Sequence, residues 1–221
     1  MTDSLKKRML DIFLQFNRIR RWKSVLDTDQ VSFSLLPEQF GSCKVGSGTY
    51  ATSEINVNNV NAKTEISIGK YCSIGSNLKI IDTGSHDPSA ISSSDMYYVF
   101  AESFPKDKLK TLGILEIGND VWIGDDVTIF AGSVIGNGSV VGTKSLVKGK
   151  YPPFGIYAGT PARLLRPRFS EEVKRRLSDL SWWDMPHEFL RQHKELLMRT
   201  DIDKSIPELE KLVKGYRDSH A

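Results

Sequence analysis

A spacing of six runs without a break through residues 117–149. Ile117, Ile123, Ile129, Ile135, Val141 and Val147 are all β-branched aliphatics. Gly118, Gly124, Gly136 and Gly142 follow four of them, and Phe130 and Lys148 the other two. Four residues after each comes Val121, Val127, Ser133, Ser139, Ser145 and Tyr151, small or branched in all but the last case. A period of six fits neither a lone helix nor a lone hairpin. It fits a parallel β-helix of short strands. Three hexapeptides make one triangular coil, the aliphatic residue pointing into the prism and glycine turning the corner where a side chain would crowd. Coils stack at roughly 4.8 Å, and because one coil cannot bury its own edge the pattern demands several.

The same grammar appears at Ile68-Gly69, Ile74-Gly75 and Ile80, which is most of another coil. Cys72 takes the small inward position there and reads as a buried structural thiol rather than a nucleophile. Residues 41–66 are looser. Val45-Gly46 opens a hexapeptide and Val57 lies twelve on, but Asn56, Asn58, Asn59 and Asn61 break the pattern, so one or two irregular coils are expected. The repeat stops at Ile81 and resumes at Ile114 or Ile117. The excursion between, residues 82–113, holds His86, Ser92 to Ser94, Tyr97, Tyr98, Phe100, Phe104 and Pro105. A tight repeat has no structural need for so long a loop, and long loops on rigid scaffolds are usually functional.

Three segments are expected: an N-terminal helical segment (1–40), the β-helix with its excursion (41–160) and a helical tail (161–221). In residues 3–22, Leu5, Met9, Ile12, Phe13, Phe16 and Ile19 recur at helical steps among Lys6, Lys7, Arg8, Arg18, Arg20 and Arg21. A helix docked on the prism or on a neighbouring subunit is favoured there over one lying on an anionic membrane surface. Pro152 and Pro153 cannot continue a ladder, so the solenoid ends near them, with residues 156–168 as a last strand and exit. In the tail, Ser170 suits an N-cap for a helix over 171–180, and Pro186 the first turn of one reaching Met198. Ser205 and Glu208 have capping-box spacing before a short third helix. Trp182 and Trp183 read as packing anchors.

The 221 residues suffice for one sizeable core with appendages. A net charge of +3 argues against a dedicated nucleic-acid binder. Cys43 and Cys72 are too few for a disulfide framework and match no metal knuckle, so a reduced, cytoplasmic setting is expected. No stretch approaches the ~20 apolar residues of a bilayer span. Asp11 and Gln15 interrupt the apolar region at the start, which is not expected to be a signal peptide.

Several blocks in fixed order resemble the left-handed β-helix acyltransferases, and within them the xenobiotic acetyltransferase subfamily, with its chloramphenicol and streptogramin acetyltransferases and related polysaccharide O-acetyltransferases. The blocks are Gly84-Ser85-His86, Gly118-Asn119-Asp120-Val121-Trp122-Ile123-Gly124 and Ala131-Gly132-Ser133-Val134-Ile135-Gly136. Further on come Ala158-Gly159-Thr160-Pro161-Ala162-Arg163 and Trp182-Trp183-Asp184-Met185-Pro186. The resemblance implies an all-β core of left-handed winding, acetyl-coenzyme A as acyl donor, no metal, and a homotrimer with the active site between two prisms. The drug-acetylating members carry Asn before the catalytic His, where this chain has Ser85, and a Ser-Thr-Tyr-Pro-Phe-like loop segment, where Ser93-Ser94 here lead to Tyr97-Tyr98 without proline.

Acyl transfer from a thioester to a hydroxyl needs a general base, a positioned thioester and oxyanion stabilisation. His86 is the one histidine in the repeat region; His187, His193 and His220 are in the tail. His86 stands where the family keeps its base, and an imidazole can take the hydroxyl proton and pass it to the departing thiolate. A single histidine there does not suit the three-histidine zinc site of a γ-type carbonic anhydrase on the same scaffold. By resemblance Trp122 lines the thioester end of the donor site, with packing between subunits as its other reading. Ala131 and Gly132 recur one coil on near residues 149 and 150 as backbone contacts for coenzyme A. Thr143, twelve residues on, belongs to an adjacent face that a neighbour could supply. Lys148, Arg163 and Arg166 are candidate phosphate contacts, and Ser85, Tyr97 and Tyr98 candidate acceptor-loop residues. The expected acceptor is a hydroxyl of a small molecule or glycan, a sugar or polysaccharide first and a chloramphenicol- or streptogramin-type antibiotic second.

Overall fold

The six-residue period becomes three flat faces in the computed structural model, which describes residues 42–58, 64–82, 89–94, 96–100 and 113–220, the side chains of Asn58 and Tyr98 excepted. The first coil is β1 (Ser42–Val45), β2 (Tyr50–Ala51) and β3 (Asn56–Asn58). The second is β4 (Glu65–Ile68), β5 (Ser73–Ile74) and β6 (Lys79–Ile81). The third is β7 (Leu115–Ile117), β8 (Trp122–Ile123) and β9 (Thr128–Phe130). The fourth is β10 (Val134–Ile135), β11 (Val140–Val141) and β12 (Leu146–Val147). Two strands of a fifth follow, β13 (Lys150–Tyr151) and β14 (Gly155–Gly159), and β15 (Ala162–Pro167) folds back antiparallel on β14. The faces are β1-β4-β7-β10-β13, β2-β5-β8-β11-β14-β15 and β3-β6-β9-β12, and every pair except β14–β15 is parallel.

Register turns the repeat into continuous columns. On the first face Val45 stacks on Ile68, Ile68 on Ile117, Ile117 on Ile135 and Ile135 on Tyr151. Ile68, Ile74, Ile80 and the six aliphatic residues from Ile117 to Val147 are all at most 3% exposed, and full burial of each such side chain contributes about 1.5–3 kcal/mol. Cys72, Ser133, Ser139 and Ser145 are buried at the small inward positions.

Within the prism, three features differ from the sequence reading. Residues 42–58 form a regular coil: Val45, Ala51 and Val57 are six apart and in register with Ile68, Ile74 and Ile80. Ala51 hid the column because it is small, and Asn56 and Asn58 merely flank the inward Val57. Tyr151 occupies the aliphatic column, not the small one, because the step from Val147 is four residues and not six. The glycines after the aliphatics answer a close approach of the next coil, not a turn. A Cβ on Gly69 would lie 2.5 Å from the Gly118 carbonyl carbon, and one on Gly118 2.5 Å from Asn137 Oδ1. The left-handed corner conformations belong instead to residues such as Asp120 (φ 55), Asp126 (φ 56) and Lys144 (φ 61). Asparagine amides satisfy the corner backbone: Lys70 N donates to Asn119 Oδ1 at 2.8 Å and Asn119 N to Asn137 Oδ1 at 2.7 Å.

Within the excursion, α1 (Met96–Val99) is a single turn. The sheet runs on to Pro167, and the next helix, α2 (Glu171–Leu180), has the expected Ser170 cap, its hydroxyl accepting from Val173 N. A 3-10 turn (Trp182–Asp184) leads to α3 (His187–Gln192) and α4 (Lys194–Leu197), so the helix expected to reach Met198 breaks at His193. The last helix, α5 (Ile202–Ser219), is 18 residues long and starts before the expected cap. Asp201 caps it by accepting from Lys204 N, Ser205 Oγ donates to the Asp201 carbonyl inside the first turn, and Glu208 pairs with Arg199. The tail has its own core of Leu180, Met185, Phe189, Leu190, Leu196, Leu209 and Val213. Trp183 is buried, as an anchor should be, and Trp182 packs on Tyr71 of the prism with ring centroids 5.4 Å apart. The helix expected over 3–22 lies outside the described residues.

Candidate active site

All three departures from the six-residue spacing fall at one edge of the prism, between the third and first faces. Val57 is followed eleven residues on by Ile68, Ile80 thirty-seven on by Ile117, and Val147 four on by Tyr151. The long excursion leaves and re-enters here. Ala131 N donates to the Ile81 carbonyl at 2.9 Å. At the other root a Cβ on Gly113 (φ +109) would stand 3.7 Å from Gly132 Cα, an ordinary contact distance. One coil further, Gly149 N donates to Ser133 Oγ at 3.3 Å, and Lys148 Nζ lies 5.6 Å from the centre of the Phe130 ring. Ala131, Gly132 and Lys148 therefore share an edge with both roots of the segment that carries His86.

The other predicted site residues sit elsewhere on the prism. Trp122 points outward from the second face, 60% exposed, in register between Ser73 and Val140. Arg163 and Arg166 are exposed on β15, opposite Ala158 and Ile156 on the same face. Thr143 is exposed at the edge between the second and third faces, its amide nitrogen 2.7 Å from where a Cβ on Gly124 would lie. Tyr97 is half-buried in α1. Ser85 and His86 lie outside the described residues, as does the side chain of Tyr98.

Sequence reasoning passed over Asp82 and Thr64. Both are fully buried, and Thr64 Oγ1 donates to Asp82 Oδ2 at 2.8 Å. The signal was available: Asp82 stands two residues after the inward Ile80, where strand alternation points a side chain into the prism. Asp120 is a half-buried carboxyl, raised from its ordinary value by partial desolvation and drawn back by Arg168. It borders a cavity of about 520 Å³ between prism and tail, lined among others by Tyr71, Phe154, Phe169 and Trp182, and containing none of the predicted site residues. Burial pushes the Cys72 thiol up to about 11, and its Sγ donates to the Gly118 carbonyl at 3.1 Å, which suits a structural role. Among the described residues no group of three His, Cys, Asp or Glu side chains could hold a metal ion, and no helix is long and apolar enough to cross a membrane.

No family model matches the chain. A chloramphenicol acetyltransferase from Escherichia coli is 38% identical over 143 residues, covering 62% of this chain and 68% of the relative. A probable macrolide acetyltransferase from Lysinibacillus sphaericus is 33% identical over 135 residues, covering 59% of this chain and 75% of the relative. Among solved structures, an N-acyltransferase from Bacillus cereus in complex with dTDP and coenzyme A is 22% identical with a TM-score of 0.49, covering 75% of this chain and 87% of that one. A galactoside acetyltransferase in complex with coenzyme A is 26% identical with a TM-score of 0.46, covering 65% and 62%. The protein is an acetyl-coenzyme A-dependent acetyltransferase built on a left-handed parallel β-helix. The chain belongs to the xenobiotic acetyltransferase family of hexapeptide-repeat enzymes.

Proposed function

We propose that the enzyme acetylates a hydroxyl of a sugar or polysaccharide, with His86 as general base and direct attack on the thioester. The observation that carries this reading is the convergence of both roots of the His86 segment on the Ala131–Gly132 edge. The acceptor oxygen forms its bond to the acetyl carbon as its proton passes to the imidazole. The carbon–sulfur bond breaks, and the imidazolium returns that proton to the coenzyme A thiolate. Because Ala131 N already serves the ladder, Gly132 is the better amide donor toward the pantetheine arm, and Lys148 supplies a cation on the same edge.

Trp122, Arg163, Arg166 and Thr143 fit the same donor site when a second prism supplies them, and by its resemblance to the family the working unit is a homotrimer with the cleft between subunits. Support comes from the exposed apolar side chains of the second face, Trp122, Leu164 and Leu165. Trp122 would then meet the thioester end, and Arg163 and Arg166 the phosphates. Tyr97, Tyr98 and Ser85 belong to the acceptor side. The cytoplasm supplies acetyl-coenzyme A and keeps Cys43 and Cys72 reduced.

The relatives named for chloramphenicol and macrolides favour a second reading, an antibiotic hydroxyl as acceptor. Ser85 in place of Asn, and the loop without its Tyr-Pro pair, favour the sugar. Coenzyme A release measured against sugars, nucleotide-sugars, glycan fragments, chloramphenicol and a streptogramin decides between them. Turnover is expected with a sugar or glycan; efficient acetylation of an antibiotic with all sugars inert would reverse the order.

A further inference from the structure

We propose that the buried Thr64–Asp82 hydrogen bond is a positioning element for the base, fixing the point at which the His86 segment leaves the prism. The inference rests on the reading of His86 as the base. Asp82 follows β6 directly, and Thr64 precedes β4 directly, so their 2.8 Å bond ties the end of the third face to the start of the first within one coil. This is the edge through which the excursion departs. In the next coil the position equivalent to Asp82, two residues after Ile129, holds the apolar Ala131, which is 4% exposed. A small apolar residue therefore suffices to fill the corner. Placing a carboxylate there incurs a desolvation penalty that hydrogen bonding must offset. What distinguishes the two coils is that the chain leaves the prism only after Asp82.

The position suits control of reach. His86 is the fourth residue after Asp82, so the imidazole-bearing residue is within roughly 14 Å of chain from the fixed carboxylate. At the opposite root Gly113 lies within ordinary contact distance of Gly132. A displacement of about 1 Å in a reacting group can cost about a hundredfold in rate. A hydrogen bond that sets the exit of a catalytic loop acts on that distance directly, whereas Gly132 and Lys148, on the next coil, are linked to it only through the Ala131–Ile81 ladder bond. Asp82 and Thr64 are thus positioning residues, acting on the reaction through the segment between Asp82 and His86.

The test is steady-state kinetics on the full chain with acetyl-coenzyme A and the acceptor found by the panel above, beside a melting curve for each variant. Thr64→Val removes the donor at nearly constant volume and should lower kcat about tenfold or more while KM for acetyl-coenzyme A stays within about twofold. Thr64→Ser restores the donor and should recover kcat to within about threefold of the unaltered enzyme. Asp82→Asn keeps an oxygen that accepts from Thr64 and should behave like Thr64→Ser. If Thr64→Val does not fold, Thr64→Cys, with a weak donor of similar size, carries the same comparison. A folded Thr64→Val enzyme with unaltered kcat overturns the inference, and so does a loss confined to KM or to melting temperature. His86→Ala separates the two readings. If it is inactive while Thr64→Val is normal, the base stands and the positioning role falls; if His86→Ala keeps full activity, the base reading falls and this inference with it.

Discussion

At Gly69 a single hydrogen atom decides whether two coils can stack. A Cβ there would sit 2.5 Å from the Gly118 carbonyl carbon, and backbone at that distance cannot swing aside. Gly69→Ala should therefore destabilise the prism by about 1–3 kcal/mol, measured by denaturant unfolding, whereas Gly215→Ala, in α5 with open space around it, should not. Cys72 offers a second check at this scale. Burial raises its thiol to about 11, so at pH 8 little thiolate forms and none is reachable in the folded state. In a Cys43→Ser variant, Cys72 should resist alkylation until denaturant is added; rapid labelling of the native protein would contradict its place in the column. Asp82 teaches the complementary lesson. Its two-residue offset from Ile80 pointed it inward, but an aspartate beside a loop is ordinarily solvent-exposed, and that expectation hid it.

Between elements, the helices of the tail meet the prism at Lys70 and Tyr71, beyond the point where Arg168 donates to the Gly138 carbonyl and Phe169 packs on Phe154. Lys70 Nζ lies 2.8 Å from Asp184 Oδ1, and Tyr71 packs on Trp182. The ion pair is substantially exposed and contributes little in water, so the aromatic contact dominates. Trp182→Ala should weaken tail docking by about 1–3 kcal/mol, seen as faster hydrogen exchange in the 3-10 turn and in α3 while the β-helix amides are unaffected. Within the tail, Arg176 makes two hydrogen bonds to Glu210, at 2.8 and 2.7 Å, tying α2 to α5. Those bonds hold the Glu210 carboxyl below its ordinary value. A depressed folded value means the contribution is fully present above the unfolded glutamate value of ~4.3 and is lost as pH falls through the folded one. Glu210→Gln should thus be less stable than the parent at neutral pH, the difference vanishing in acid; a difference that grew on acidification would contradict the pairing. The helix starts show what spacing alone reveals. Ser170 was legible because no better cap stood nearby, whereas Asp201 outcompeted the Ser205–Glu208 pair by capping one turn earlier.

For the whole molecule, the prism was legible because burial repeats every six residues wherever a column is aliphatic, from Ile117 to Val147. It was illegible where Ala51 interrupts the column of large side chains and where the edge between the third and first faces shortens to four residues before Tyr151. Of the candidate site residues, Ala131, Gly132 and Lys148 share one edge, while Thr143 and Trp122 lie on other parts of the prism; a period of six places residues on faces but carries no distance between faces or between chains. The trimer should be visible by sedimentation equilibrium as a species of three chains, and a monomer with full activity would contradict a shared cleft. Acetyl transfer is proposed to depend on the His86 imidazole. Coenzyme A release by His86→Ala, with folding checked by its melting curve, tests this most directly. A fall in kcat of about a hundredfold or more is the predicted result, and a folded variant that keeps the parent rate would contradict it.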